Sequence, residues 1–425
     1  MRLVKTKILK MSLKEKYKNN KTVLSNFSYL TVLQFFTLLF PFITYPYLLR
    51  VLGFDVYGKV IFAQGIATNI AILINFGFNV SGTNNVAVSR ENTSKLSEIV
   101  SSIYSVKGVL WLMCLLAYVI VIHFVPFLRA DKWLYIISFF ITFNDLLFPL
   151  WFFQGIEKMK YITFINICVR SLFVVFIFIL VKHQADYHIV PILNACGALL
   201  GGIIALYVVT KIEKVKLKIQ SLTTLKYYFK DSWPLFVSYL SIQIYGNVNK
   251  LLVGSFLGMK EVTIYDMGEK ISSLVKIPIG MISQATFPKI SREKNIAYIN
   301  KVMWSIAGVI FLLYIGIFIF SDYIVVLLSG IHNVIAVNVI KILSFSAIVL
   351  VFNFFLTSNR LIPFGFKKAF LSITIMGFIL FVTGAFLLYI TNSFTIYSIA
   401  FLNIIIEISI LLISLYKNRK LGLLH

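Results

Sequence analysis

Six stretches of this chain contain no Asp, Glu, Lys or Arg: residues 22–49, 60–89, 108–128, 187–210, 302–321 and 369–406. An apolar run of about 18 residues or more can cross the ~30 Å hydrocarbon layer of a bilayer as a helix, and a helix satisfies every backbone polar group within its own segment there. The 369–406 run is too long for one crossing and breaks at Thr391-Asn392-Ser393, so it reads as two. Five further spans each tolerate a few ionisable residues, at 134–153, 161–181, 232–258, 266–288 and 335–359, and bring the expected total to twelve. With 59% hydrophobic and 13% charged residues, the chain lacks the polar surface to cover such a core in water. The expected fold class is an all-α integral membrane protein.

The net charge of +24 would suggest nucleic acid in a soluble protein, but its distribution points elsewhere. With the N-terminus taken as cytoplasmic, alternate loops and the two ends hold 29 of the 40 Lys and Arg residues, the opposite loops hold 6, and 5 lie inside spans. Such asymmetry places both termini in the cytoplasm and adds attraction to anionic lipid heads; no nucleic-acid partner is expected. The basic start (Lys5 to Lys21) resembles the beginning of a signal peptide. The apolar run after it is too long and lacks a small-residue cleavage site, so it is expected to stay as the first span. Cys114, Cys168 and Cys196 fall within spans without a CxxC pair, which reads as packing rather than metal binding.

A repeat organises the chain further. PYLLRVLGFDVYGK at 46–59 leaves one apolar segment, turns at Leu52-Gly53, and leads into a second segment closed by Ser89-Arg90-Glu91. A degraded copy turns at Leu257-Gly258 and closes at Ser291-Arg292-Glu293, an offset of 202 to 205 positions. Two ordered matches point to a duplicated bundle. The expected organisation is a basic N-terminus at 1–26, a first lobe of six spans at 27–210, a linker at 211–231, a second lobe at 232–416 and a basic tail at 417–425.

Polar side chains recur at helical spacing: Gln34, Thr37 and Thr44 on span 1, Gln64, Thr68, Asn75 and Asn79 on span 2, and Tyr239, Gln243, Asn247 and Lys250 on span 7. In lipid such stripes face other helices or a wet cavity, as interhelical glue or as the wall of a passage. Asp145 in span 4 and Arg170 in span 5 are expensive at mid-bilayer and are expected either to pair with one another or to line that passage. Span 8 carries Asp266, Glu269, Lys270 and Lys276, where neighbouring opposite charges could neutralise one another. Glu407 is an isolated acid in span 12, and Lys341 and Arg360 sit near the two ends of span 10.

No stretch reads as a P-loop, a zinc site or a dinucleotide fingerprint, and no cofactor or metal is expected. The outer loops are short, and there is no acidic cluster of the DxD type. These features leave a transporter rather than an enzyme.

PYLLRVLG (46–53), YGKVIFAQ (57–64), NFGFNVSGT (75–83), FPLWFFQGIEKMKYIT (148–163) and FPKISRE (287–293) resemble the O-antigen flippases of the Wzx type. These form the polysaccharide-transport branch of the superfamily that also holds the MATE exporters and the lipid II flippase. The resemblance implies two pseudo-symmetric six-helix lobes around a central cavity. It also implies a substrate of an oligosaccharide repeat unit on undecaprenyl pyrophosphate, for O-antigen or capsule, moved from the cytoplasmic to the outer leaflet of the bacterial inner membrane. Partners on this reading are the lipid-linked substrate, membrane lipids, a polymerase and a chain-length regulator. The family often has Asp at position 75 and Arg near 84, where this chain has Asn75 and Asn84.

A flippase for such a head group needs a wet, cation-lined cavity. Lys250, Lys270 and Arg170 are the candidates for meeting pyrophosphate, with Lys276 and Lys341 behind them. Gln64, Asn75, Asn79 and Gln243 are the candidates for sugar hydroxyls, and Asp145, Glu269 and Glu407 for carrying a proton. Two alternatives stand beside this: a MATE-like drug or cation antiporter, which expects an acid-dominated cavity, and a polytopic polymerase or glycosyltransferase.

Overall fold

The structure is a computed structural model; it describes the backbone of residues 2–424 and their side chains except at 2–24, 27, 238, 239, 241–247, 284, 285, 288 and 367. Every regular element among the described residues is helical, in keeping with an all-α membrane protein. Nine helical segments among them have the length and hydropathy to cross a membrane, and the first, at 28–89, is long enough to cross twice. Two further stretches, at 222–256 and 259–293, bring the long helical passages to twelve. Large apolar side chains stand exposed along them, Leu112, Leu116 and Phe124 among many, as a lipid-facing surface requires.

Local chemistry explains where the helices break. α1 (Arg2–Asn75) contains Pro41 and Pro46 and turns at Gly53, whose φ of 74° suits glycine. Positive φ at Phe76 and Gly77 separates it from α2 (Phe78–Ser89). α3 (Thr93–Phe124) begins on Asn92, whose side chain accepts from the backbone of Lys95. After α4 (Pro126–Arg129), the fourth passage is assembled from α5 (Lys132–Phe139), α6 (Phe143–Leu147) and α7 (Leu150–Gly155), with Pro149 between the last two. α8 (Met159–Leu180) and α9 (Ile189–Tyr207) complete the first six passages.

The second set runs through α10 (Leu222–Asn247), α11 (Asn249–Phe256), α12 (Met259–Glu293) and α13 (Ile296–Ser329). α14 (Val334–Leu356), α15 (Ser358–Leu361), α16 (Lys367–Ile390) and α17 (Ile396–Lys420) follow. The expected break near 391–393 is present: Asn392 takes a positive φ, and Thr395 with Ser398 forms a capping box for α17.

The chain divides into two compact units: residues 1–47, 70–182 and 188–237 in the first, and 48–69, 183–187 and 238–425 in the second. In the first, Trp151, Phe152 and Phe153 are fully buried. The Trp151 ring lies against Gly82, where a Cβ would come within 3.1 Å of it, and Gly155 lies against Val86. The WFFQG motif is therefore the joint between α7 and α2. In the second unit, Val275, Ile279, Ile306, Ile310, Val351 and Phe355 form a core shared by α12, α13 and α14.

Residues 48–69, which follow span 1 in sequence, pack within the second unit. The two copies of the repeat meet there. Gly53 and Gly258 both turn with positive φ, at 74° and 122°. Thr263 donates a 2.6 Å hydrogen bond to the Phe54 carbonyl. A Cβ on Gly58 would fall 1.8 Å from the Met259 carbonyl oxygen, so only glycine allows this approach.

Three sequence expectations need correction. The segment expected as a loop at 211–231 is extended only in part, with the amides of Lys216 and Lys218 donating to Ser97 and Ser101 of α3, and α10 already begins at Leu222 rather than 232. Lys107, counted above among the cytoplasmic loop residues because it ends the 89–107 segment between spans 2 and 3, is 1% exposed within α3. Arg360, placed at a span end, is likewise 1% exposed. Removing both from the loop tally leaves 27 basic residues against 6, so the asymmetry survives.

Candidate functional site

Each unit contains a polar cavity, and most of the sequence-predicted residues line one or the other. The first unit's cavity, about 170 Å³, is walled by Thr37 from α1, Asn75 and Asn79 from the broken second passage, Asn144 and Asp145 from α6, and Asn166 and Arg170 from α8. The helix break at Phe76-Gly77 falls between Asn75 and Asn79, and both amides end on this wall.

Of the two arrangements expected for Asp145 and Arg170, the direct pair does not form, and both residues line this cavity. Asn75 Nδ2 donates to Asp145 Oδ1 at 2.6 Å, and Lys107 Nζ donates to Asn75 Oδ1 at 3.1 Å and to the Asp145 carbonyl at 2.9 Å. An ammonium can only donate, so Lys107 fixes the Asn75 amide with its oxygen toward the lysine and its nitrogen toward the carboxylate. Lys107 thus compensates Asp145 through the Asn75 side chain. Arg170 lines the same cavity and makes no ion pair or hydrogen bond among the described residues. Counting Lys107, Asp145 and Arg170 together, this cavity carries one uncompensated positive charge.

The second unit's cavity is larger, about 410 Å³, and is lined by Lys250, Lys276, Glu269 and Glu407 among neutral polar groups: Asn249, Tyr265, Ser272, Ser273, Ser346 and Asn403. Lys250 Nζ sits 3.0 Å from both Asp266 Oδ1 and Glu269 Oε2, and Lys270 pairs with Asp266 through the other carboxylate oxygen. Lys250 and Lys270, both named as pyrophosphate candidates from sequence, therefore already hold carboxylates. Lys270 stands behind Asp266 and does not line the cavity. With Lys276 and Glu407 the cluster balances three acids against three bases. Asn249, Asn403 and the Tyr265 hydroxyl form a chain of hydrogen bonds on one wall (3.3 and 2.7 Å). Glu407 accepts from Asn353 at 2.6 Å.

The other predicted residues stand apart. Gln64 belongs to the second unit and lines neither cavity. The side chain of Gln243 lies outside the described residues. The Lys341 ammonium lies over the Phe318 ring, 4.7 Å from its centroid. Lys107, Asn144, Asn166, Asn249, Tyr265 and Asn403 are among the residues that sequence reasoning missed. Lys107 directly precedes a charge-free run and so looked like its flank, but Asn92 three residues before Lys95 is a readable N-cap that starts the helix fifteen residues earlier.

A family model described as "Polysaccharide biosynthesis protein" matches residues 23–294, more than half of the chain. The chain belongs to this family. The matched part of this family member holds all of the first cavity, together with Lys250, Glu269, Lys270 and Lys276, while Asn403 and Glu407 lie beyond it. Among curated proteins, the family member is 29% identical over 294 residues to one from Escherichia coli (strain K12) named "Putative O-antigen transporter", covering 67% of this chain and 70% of that one. It is 28% identical over 274 residues to a protein of the same name from Shigella dysenteriae, covering 62% and 66%. Among solved structures it resembles an inward-facing multidrug resistance MATE family transporter, with a TM-score of 0.62 at 15% identity over 89% of this chain and 98% of the other. A second MATE structure, a complex with Br-NRF, gives 0.52 at 13% identity over 94% and 96%. These structural likenesses establish a shared multi-pass helical fold.

Proposed function

We propose that this protein carries a polyprenyl-pyrophosphate-linked oligosaccharide, of the O-antigen or capsule type, across the bacterial cell membrane by alternating access. The observation that carries the reading is the uncompensated Arg170 guanidinium in the first unit's cavity, ringed by the carboxamides of Asn75, Asn79, Asn144 and Asn166. A guanidinium presents a planar fork of donors that matches phosphate oxygens, and the carboxamides add further donors around it. The second unit's charge-balanced cavity is of the size of a small-molecule pocket and offers the paired hydroxyl and amide groups that sugar hydroxyls require. The names of the Escherichia coli and Shigella relatives point the same way.

On this reading both termini are cytoplasmic and the lipid tail stays in the bilayer. Two negative charges leaving an inside-negative cell gain about 5 kcal/mol per 100 mV. An inward proton is a further source of drive. Glu269 holds Lys250, while Asp145 and Glu407 each accept a 2.6 Å hydrogen bond from an asparagine, so that role falls to one of these two.

The test is Arg170→Ala. The variant is expected to insert at normal levels, to abolish surface polysaccharide, and to leave lipid-linked oligosaccharide on the cytoplasmic leaflet. Normal surface polymer from an inserted variant overturns the assignment of Arg170, and accumulation on the outer leaflet overturns transport itself.

A further inference from the structure

One face between α14 and α17 collects polar side chains, several of which have one atom without a partner. On α17, Glu407, Ser414 and Asn418 lie at positions i, i+7 and i+11, one stripe of the helix. The two ends of that stripe touch α14. Asn353 Nδ2 donates to the Glu407 carboxylate and carbonyl at 2.6 and 2.8 Å, and Asn418 Nδ2 donates to the Leu356 carbonyl at 2.9 Å. The facing stripe of α14 and α15 carries Asn353, Thr357 and Arg360 at i, i+4 and i+7. Arg360 Nη1 donates to the Leu423 carbonyl at 2.8 Å and Nη2 to Asn300, and the neighbouring Asn359 accepts from Ser283 of α12.

Along this seam four buried polar atoms find no partner, Asn353 Oδ1, Ser414 Oγ, Asn418 Oδ1 and Arg360 Nε, and Asn359 Nδ2 is a fifth on the side that faces α12. Their residues are at most 4% exposed. Leaving a buried polar atom unpaired costs about 1–3 kcal/mol, so four in one seam are not sustained dry. Buried water resolves such clusters, each molecule making about three hydrogen bonds to otherwise unsatisfied groups. The orphaned atoms lie between residues 353 and 360 on one side and at residues 414 and 418 on the other, a helix rise of about 10 Å at most.

We propose that this seam is a hydrated path that joins the Glu407 side chain to bulk water at the end of the unit where residues 418–423 lie. Water in the seam lets the Glu407 carboxylate exchange protons from that end as well as from the cavity it lines. The charged groups facing Glu407 are Lys276 of α12, with Glu269 and Lys250 further along the same cavity wall. α14 presents Asn353, and α16 has no titratable side chain between Phe370 and Leu388. The inference stands on the second unit alone and is independent of the substrate.

Ser414→Cys in a background lacking Cys114, Cys168 and Cys196 tests it, because the Ser414 hydroxyl makes no hydrogen bond that the substitution removes. The rate of modification by a small, water-soluble, membrane-impermeant methanethiosulfonate is measured in membranes, against Ala400→Cys on the same helix, which is equally buried. The expected result is modification of the 414 thiol at least tenfold faster than the 400 thiol, from the face bearing residues 418–423. Equal rates at both positions, or no reaction at 414, overturns the path. Failure of Arg170→Ala to affect export would leave this outcome unchanged, so the two proposals fail separately.

Discussion

Asn75 donates to Asp145 at 2.6 Å while its oxygen receives the Lys107 ammonium at 3.1 Å, so one neutral carboxamide connects an acid and a base that make no direct ion pair. The neutrality of residue 75 sets the net charge of the first cavity. Asn75→Asp adds a second carboxylate to the cavity that holds Arg170 and Asp145. The expected outcome is a loss of pyrophosphate affinity of about tenfold or more, which corresponds to about 1.4 kcal/mol. It is read as the collapse of the pyrophosphate-dependent rise in melting temperature of the detergent-purified protein. An unchanged rise would show that cavity charge does not govern binding.

Lys107 is a buried cation whose described partners are all on the Asp145 side of the cavity. Lys107→Met strands a carboxylate in the membrane core, and removing one member of a buried charge pair costs about 3–5 kcal/mol. The double variant Lys107→Met with Asp145→Asn is expected to recover most of the lost melting temperature. If the double variant melts no higher than the single one, the two residues are not a compensating pair.

Lys250 illustrates how geometry reassigns a residue chosen from sequence. It sits 3.0 Å from Asp266 and from Glu269, with Asp266 only 4% exposed. Lys250→Ala is expected to lower the melting temperature strongly, by the same mechanism and about 3 kcal/mol, while leaving pyrophosphate-dependent stabilisation intact. Loss of that stabilisation with unchanged melting would return Lys250 to the anion site.

Much of the fold was legible because lipid leaves few solutions. Charge-free runs and the Gly53 and Gly258 turns located the passages, and of the polar stripe of span 2 Asn75 and Asn79 stand on the wall that also holds Arg170 while Gln64 and Thr68 do not. Partner choice was not legible. Asp145 and Arg170 sit in successive passages and looked complementary, yet the lysine that serves Asp145 comes from α3, 38 residues away. Lys107 and Arg360 both read as flanks because they adjoin apolar runs, and only tertiary packing reveals them as buried. WFFQG, the most specific motif, is a packing joint whose Trp151 fills the space left by Gly82.

Gly58 gives a prediction on stability alone. A methyl at this position meets the Met259 backbone at 1.8 Å, and backbone cannot rotate away as a side chain can. Gly58→Ala is expected to destabilise by about 1–3 kcal/mol or more, the usual cost of overpacking. Thermal denaturation would measure it, and Gly108→Ala, where a Cβ meets nothing within 4 Å, is the matched control expected to be neutral.

The hydrogen bond from Thr263 to Phe54 and the contact of Gly58 with Met259 both lie inside the second unit, although they join residues some 200 positions apart. The halves of the sequence are therefore not the halves of the molecule. A gene cut at the central linker would send the 48–69 segment off with the wrong fragment, and the fragment beginning after the cut would lack a strip of its own interior. Duplicated though it is, the chain is tied across its midpoint, and neither copy is a self-sufficient part.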